Sequence, residues 1–166
     1  GSAGKATIRN TTISGNEADR SGGIAVWQVK NSLTLENVTI YDNSARISAG
    51  GLSSSSGTVT MANSIVAGNT ASVGNDIQGT IVSLGNNIIG DVTEGAGFVA
   101  SDLKDVDPRL GPLANNGGST LTHALLPDSP AIDAGTTIFS ADTITTAAAA
   151  VSVYATDVDG DGDMDV

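Results

Sequence analysis

The end of the sequence carries the residues with the clearest capacity for chemistry. Aspartates alternate there with glycine and other residues, at Asp157, Asp159, Asp161, Asp163 and Asp165. Carboxylates at alternate positions suit a hard cation that takes about six to eight oxygen ligands, and the intervening glycines allow the loop to turn around the ion. The pattern therefore predicts that these five residues bind Ca²⁺. A solvated acidic tail is the alternative, because blocks of like charge often have no other role.

The first half of this loop resembles the calcium loop of EF-hands, but no glutamate stands at the twelfth position and no helical pattern flanks it. Together with the strand-like segment before it, the loop more closely resembles FG-GAP/VCBS-type repeats. In that family an Asp-x-Asp-Gly-Asp-Gly-x-x-Asp loop binds calcium between two strands. The resemblance implies that Asp157, Asp159, Asp161 and Asp165 are side-chain ligands, and that Asp163 gives its backbone carbonyl or lies outside the site.

The sequence has few other residues that could take part in catalysis. The sequence has no Cys and a single His, His123; this excludes disulfides, a thiol nucleophile and thiolate metal sites. His123 lies among small and apolar residues. We expect a packed imidazole that bonds to the backbone or to an Asp of the same proline-rich segment, with a catalytic or metal-binding role as the alternative.

A polysaccharide lyase or hydrolase is the enzymatic alternative to be weighed. Bases for a lyase are scattered, at Lys5, Arg9, Lys30 and Arg46. A hydrolase needs two convergent carboxylates, and Glu36 and Asp42 are the candidates. Trp27 and Tyr41 are the candidates for stacking on a sugar; we expect Trp27 to cap or fill the end of a coil, with an exposed anchor as the alternative. The sequence thus predicts that the protein is not an enzyme.

Composition excludes several partners. The 166 residues carry a net charge of −11, which repels nucleic acid and anionic membrane surfaces. No apolar run approaches the roughly 20 residues that span a bilayer. Aromatics are only 3% of the chain while 21 residues are Gly, so small and β-branched side chains must form the core. This composition favours stacked β structure over a helical bundle.

A repeat governs the first half of the chain. An apolar-x-apolar-x-Asn-x-Thr-Ile pattern recurs with its Asn at Asn10, Asn37 and Asn63, and more weakly at Asn86, in steps of 27, 26 and 23 residues. A second Asn recurs at Asn16, Asn43 and Asn69, and Gly-Gly pairs follow the first two of these. Apolar residues alternate within each copy, as in a strand. A step of this size is typical of one solenoid coil, whose apolar face only its neighbours can bury.

The repeat resembles those of right-handed parallel β-helices in large bacterial surface and secreted proteins. The fold class predicted is therefore all-β: a single-stranded right-handed parallel β-helix of about 3–5 coils, with an irregular C-terminal cap and a short tail of strand and calcium loop. The handedness is implied by the resemblance alone. A β-sandwich with similar strands is the alternative.

All four prolines lie in the segment after the repeats. Because Pro blocks the interiors of strands and helices, we expect ordered turns there, with Ala131–Asp133 as one last strand. The segment resembles the choice-of-anchor module that follows such β-helices in bacterial surface proteins, which implies a place near cell-surface attachment.

Four regions are predicted. Residues 1–4 are an expression scar or linker, 5–104 the β-helix coils, 105–136 the proline-rich cap, and 137–166 a strand plus the calcium loop of a truncated FG-GAP/VCBS-like repeat. The first coil starts without a polar cap, so its strand edge would be open; we expect either that more coils precede it in the natural protein or that something pairs with that edge.

The function predicted is a non-catalytic structural or adhesive module of a bacterial protein that is secreted or held at the cell surface. Ca²⁺ stabilises it. Its partners are copies of itself, joined end to end or by strand addition into filaments, and a carbohydrate or cell-surface partner; no nucleic acid and no membrane insertion are expected. A carbohydrate-binding module is the first alternative.

Overall fold

The computed structural model describes residues 4–135, in which the chain forms β-strands and turns. Among these residues no helix is long and apolar enough to cross a membrane. The strands are β1 Lys5–Ser14, β2 Glu17–Arg20, β3 Ile24–Val26, β4 Ser32–Tyr41, β5 Ser44–Ser48, β6 Leu52–Ser54, β7 Thr58–Ala62, β8 Ile65–Ala67, β9 Thr70–Ala71, β10 Ile77–Thr80, β11 Val82–Gly85, β12 Ile88–Ile89, β13 Gly95–Ala96, β14 Leu103–Lys104, β15 Leu110–Ala114 and β16 Thr122–Leu125.

Parallel pairing between successive coils builds three sheets. The largest runs β11-β7-β4-β8-β12-β14, with β1 added on β4. The second sheet runs β2-β5-β9 and the third runs β13-β10-β6-β3. The result is a parallel β-solenoid of about three turns, with a shorter last coil over residues 82–104, as the repeat predicts.

The first Asn of each repeat sits where a coil bends within the largest sheet. Asn10, Asn37, Asn63 and Asn86 have φ angles of 48°, 54°, 47° and 57°. The register pairs Arg9 with Glu36 and Thr11 with Val38, so that Asn10 lies directly over Asn37. Asn tolerates this left-handed conformation better than most residues. The recurring Asn therefore sets the shape of the coil, and the predicted alignment is confirmed.

Gly-Gly pairs form the corner before the third sheet. The Gly22 N–H donates to the Ala49 carbonyl and the Gly23 N–H to the Gly50 carbonyl, so the two pairs stack. A Cβ on Gly51 would lie 2.6 Å from the Asp76 carbonyl oxygen. Only glycine allows the backbones to approach this closely.

Aliphatic side chains, most of them β-branched, fill the interior, and none of the buried core residues is aromatic. The buried core consists of Val26, Leu33, Leu35, Val38, Ile40, Leu52, Val59, Met61, Val66, Ile77, Ile81 and Ile89. Phe98 packs against this cluster from the last coil. Val26 occupies the interior at the first coil, whereas the neighbouring Trp27 is 60% exposed. The expectation that Trp27 fills the coil end was wrong, because strand alternation turns Val26 inward and not Trp27.

The proline-rich segment contacts the side of the coils. Its strands β15 and β16 form an antiparallel hairpin. Asn86 Nδ2 donates to the Ala134 carbonyl at 2.8 Å, and His123 reaches Ser14 in the first coil. The predicted strand at Ala131–Asp133 is wrong: these residues form turns, in which the Ile132 N–H donates to the Ser129 carbonyl. Pro130 supplies no N–H for a ladder there.

Candidate functional site

A buried polar ladder fixes the coils on one another. Asn43 Oδ1 accepts hydrogen bonds from the backbone N and the Nδ2 of Asn16, and Asn69 Oδ1 accepts the same pair from Asn43. Asp76 Oδ1 accepts the same pair from Asn69 at 2.9 and 2.8 Å. The ladder has a direction, since each rung donates toward the next coil. It accounts for the second Asn of the repeat: besides a turn, the recurrence predicts stacked Asn side chains that hydrogen-bond from coil to coil, and this stacking is confirmed.

A second polar ladder runs beside the first. Ser64 Oγ accepts from the Val38 N–H, and Asn87 Oδ1 accepts from the Ser64 N–H. Asp102 Oδ1 then accepts from both the backbone N and the Nδ2 of Asn87. Both ladders therefore end on an aspartate carboxylate, which accepts hydrogen bonds and donates none. The register of the coils is specified by buried hydrogen bonds as well as by apolar packing.

The terminal carboxylate of the first ladder is unusual electrostatically. Burial raises the pKa of Asp76 above its ordinary value, because a low-dielectric surrounding disfavours the charged form. Hydrogen bonds from Asn69 and from the Asp91 backbone oppose this rise, and the nearby charge of Asp91 adds to it. Stability must therefore depend on whether Asp76 carries its proton.

The opposite end of the solenoid is open. Strand β1 pairs with β4 along its length and, within residues 4–135, with no strand on its other side. Its inward-facing Ile8 and Ile13 are only partly buried, and so is Ile24 of β3. An edge of ten residues with unpaired N–H and C=O groups is a template for strand addition.

The core is also accessible at this end. A cavity of about 280 Å³ opens between β1, β3 and the start of β4. Its lining is largely apolar and includes Ala6, Ile8, Ile24, Val26 and Leu33. The residues in register with Ile8 in the next two coils, Leu35 and Met61, are fully buried. A further coil stacked on β1 would bury this apolar surface.

The polar ladder is open at the same place. Asn16 Nδ2 donates to Asn43 Oδ1 and to the Ser14 carbonyl, but Asn16 Oδ1 accepts no hydrogen bond within residues 4–135. In each lower rung this oxygen accepts a pair of N–H donors. The open end therefore presents an unused acceptor in register with the unpaired edge of β1.

Charge is distributed unevenly between the two ends. Residues 4–31 hold four basic and two acidic residues, a net charge of +2 in a chain of net charge −11. They are Lys5, Arg9, Arg20 and Lys30 against Glu17 and Asp19. Residues 82–107 hold five acidic residues and one basic residue, a net charge of −4. They are Asp91, Glu94, Asp102, Asp105 and Asp107 against Lys104.

The last coil also offers strand edges. Within residues 4–135, β13 pairs only with β10 and β14 pairs only with β12. Val99 and Leu103 are exposed there, at 39% and 38%. The register through β12, β8 and β4 places Leu103 in the same column as Thr12 of β1.

The structure does not bring the candidate catalytic residues together. Arg9 forms an ion pair with Glu36, and Arg46 forms one with Asp19 at 2.8 Å. The His123 ring bonds to the Gly111 carbonyl and to Ser14 Oγ, both at 2.8 Å, and it meets Tyr41 edge-on with ring centroids 4.9 Å apart. His123 therefore connects the hairpin to the coils, with both ring nitrogens engaged.

A second cavity, of about 370 Å³, has a polar lining and is not predicted by the sequence pattern. It lies between the third coil and the proline-rich segment and is lined by three carboxylates, those of Asp76, Asp91 and Asp107, beside Tyr41. Hydrogen bonds from Thr93 lower the pKa of Asp91. Repeat spacing gave no signal for this grouping, because it depends on how residues 105–108 fold back. Within residues 4–135 no three acidic or His side chains group so as to hold a metal ion.

The predicted calcium ligands Asp157, Asp159, Asp161, Asp163 and Asp165 lie outside the described residues. The predicted regions 1–4 and 137–166 fall wholly or largely outside them as well. Comparisons with family models, with curated proteins and with solved structures found no match.

Proposed function

We propose that the chain is a non-catalytic structural module that assembles head to tail, so that the first coil of one copy stacks on the last coil of the next. The observation that carries this proposal is the ten-residue strand β1, paired on one side only among the described residues. Strand addition at such an edge is a common mode of protein association.

The charge and the apolar surface of the two ends also favour a second copy of the chain as the partner. A basic first coil and an acidic last coil attract one another, whereas two first coils would repel. A stacked coil would cover the apolar cavity bounded by Ile8 and Ile24, and the same contact would cover exposed apolar side chains of the last coil such as Val99 and Leu103. A contact between two different surfaces is heterologous, and it produces a filament unless the ring closes.

The setting proposed is that of a bacterial surface or secreted protein. Support comes from the resemblance of residues 5–100 to β-helix repeats and of the segment after Asp105 to choice-of-anchor modules. The Asp-rich loop resembles FG-GAP/VCBS repeats, and on that basis Ca²⁺ stabilises the region that follows the solenoid.

The test is to block the edge of β1 without breaking its pairing to β4. The Gly15 N–H and the Ile13 carbonyl point toward the second coil, since they bond to the Asp42 carbonyl and Asn43 Nδ2. Because backbone groups alternate in direction along a strand, the Thr12 N–H points toward the open edge. Thr12→Pro removes this donor, and Thr12→Ala is the matched control that keeps it.

Sedimentation velocity over a wide concentration range gives the readout. Wild type and Thr12→Ala are expected to form species that grow with concentration. These species should weaken in about 1 M salt, where charges are screened beyond roughly 3 Å. Thr12→Pro should stay monomeric with an unchanged circular dichroism spectrum. A wild-type monomer at every concentration, or a folded Thr12→Pro that assembles like Thr12→Ala, would overturn the proposal.

A further inference from the structure

A third cavity, on the side of the solenoid, has a different chemical character from the open end. It measures about 210 Å³ and lies between the end of the second sheet and the third sheet. Its lining consists of Arg20, Ser21, Trp27, Ser48, Ser53, Ser55 and Gln78. Every lining residue except Trp27 is purely polar, and the residues come from three successive coils.

Strand register explains why these side chains meet. Arg20 of β2 lies beside Ser48 of β5, and Ser53 of β6 lies beside Gln78 of β10. Trp27 follows directly after β3 at the rim. Parallel stacking brings outward-facing residues of successive coils into columns, so a depression of this kind is held by rigid strands.

Much of the polar lining is unused by the protein. Ser53 and Ser55 bond to one another at 2.7 Å. Within residues 4–135 the Arg20 guanidinium forms no ion pair, and neither the Gln78 amide nor the Trp27 indole N–H has a hydrogen-bond partner. Trp27 is 60% exposed, although burying an indole is among the larger gains a side chain can make.

We infer that this cavity, the Trp27 cavity, binds one acidic sugar unit, a hexuronate residue of an anionic polysaccharide. The Trp27 indole offers a flat apolar face for the C–H face of a pyranose ring. Serine hydroxyls and the Gln78 amide both donate and accept, which matches sugar hydroxyls. The Arg20 guanidinium fits a carboxylate, to which it can donate two parallel hydrogen bonds.

The carboxylate is favoured over a neutral sugar because of Arg20. This side chain lies in the one coil with a local positive charge, while the chain as a whole carries −11. We therefore expect the rest of the chain to repel a polyanion. If a polyanion binds, the contact is specific to the first coil and Arg20. The inference does not depend on head-to-tail assembly, because the cavity faces sideways and reaches Gln78 in the third coil.

Intrinsic fluorescence tests the inference directly, since Trp27 is the only tryptophan. The full chain is titrated with oligogalacturonate and, in parallel, with a neutral galactose oligomer of the same length. We expect a saturable change in emission with the acidic oligomer and a much weaker response to the neutral one. Calorimetry with Trp27→Ala, which removes the fluorophore, should show no binding.

Charge variants distinguish a specific binding site from nonspecific electrostatic attraction of the polyanion. Arg20→Gln should weaken binding about tenfold or more, because the sugar carboxylate would lose its charge-assisted hydrogen bonds. Arg46→Gln is the matched control, because it removes the same charge from an exposed arginine paired with Asp19. Three results would each overturn the inference: no response to either oligomer, an equal response to both, or an equal loss in Arg20→Gln and Arg46→Gln.

Discussion

Replacing Asn69 by Ala should be among the most damaging single changes in this chain. Asn69 is 4% exposed. Its Nδ2 donates to the Ile40 and Ala67 carbonyls and to Asp76 Oδ1, at 3.0, 3.1 and 2.8 Å. Its Oδ1 accepts from the backbone N and the Nδ2 of Asn43. These hydrogen bonds are buried, so water does not readily replace the Asn69 side chain as a partner.

The magnitude follows from the groups left behind. Asn69→Ala leaves at least the Asn43 N–H and the Ile40 carbonyl buried without this partner, and each such group costs about 1–3 kcal/mol. We therefore expect a loss of roughly 3–5 kcal/mol, a large part of the 5–15 kcal/mol that typically stabilises a domain. Urea denaturation followed by circular dichroism measures it, and the melting temperature should fall by on the order of 10 °C.

Asn37 provides the matched control. It is also a repeat asparagine, but it is exposed and contributes its φ of 54° and one side-chain bond to Asn10. Asn37→Ala should cost about 1–2 kcal/mol because Ala lacks the polar side chain through which Asn tolerates the left-handed conformation, and Asn37→Gly should cost less because Gly has no Cβ. The reasoning fails if Asn69→Ala loses under about 1 kcal/mol, or if Asn37→Ala costs as much as Asn69→Ala.

Three further predictions follow from individual contacts. Burial raises the pKa of Asp76 above its ordinary value of 3.8, so its stabilising contribution is full below that pH and is lost as the pH rises through the folded pKa. Wild type should therefore lose stability relative to Asp76→Asn as the pH rises above about 4 in urea titrations, and a pH-independent difference would contradict this. Gly51→Ala should cost about 2 kcal/mol or more, since its Cβ would meet backbone at 2.6 Å; unchanged thermal unfolding would show that the corner can widen. Calorimetric titration with Ca²⁺ should give saturable heat that Asp159→Asn and Asp161→Asn together abolish; no heat in wild type would remove calcium from the account.

The spacing of the repeats was enough to predict the solenoid. Asn10, Asn37 and Asn63 stack as expected because one residue type with one conformational tolerance recurs at coil length. The recurrence also predicts stacked, hydrogen-bonded Asn side chains, but spacing could not reveal the residue on which the ladder of the second Asn ends. That residue, Asp76, belongs to a different repeat position, and the directed ladder exists only once the coils are stacked.

The side of the solenoid was harder to predict. Trp27 was expected to fill the coil end, but a single residue at the end of a short strand gives no alternation from which to judge its direction. The strand predicted at Ala131–Asp133 failed because local turn bonds around Ser129 outweigh the β propensity of one Ile. The Trp27 cavity itself depends on register among three coils, which no linear pattern expresses.

Head-to-tail stacking is tested most directly by trapping the contact between copies. The sequence has no Cys, so Thr12→Cys in one preparation and Leu103→Cys in another give one thiol each. In register, the two Cα atoms would lie about 4.8 Å apart, within the range of about 4.4–6.8 Å that a disulfide bridges. Mixing under mild oxidation should give a covalent heterodimer of these two chains, well above the yield of Thr12→Cys with Ser72→Cys, whose serine lies exposed on the side of the third coil. Equal yields from the two mixtures, or none from either, would contradict the stacking.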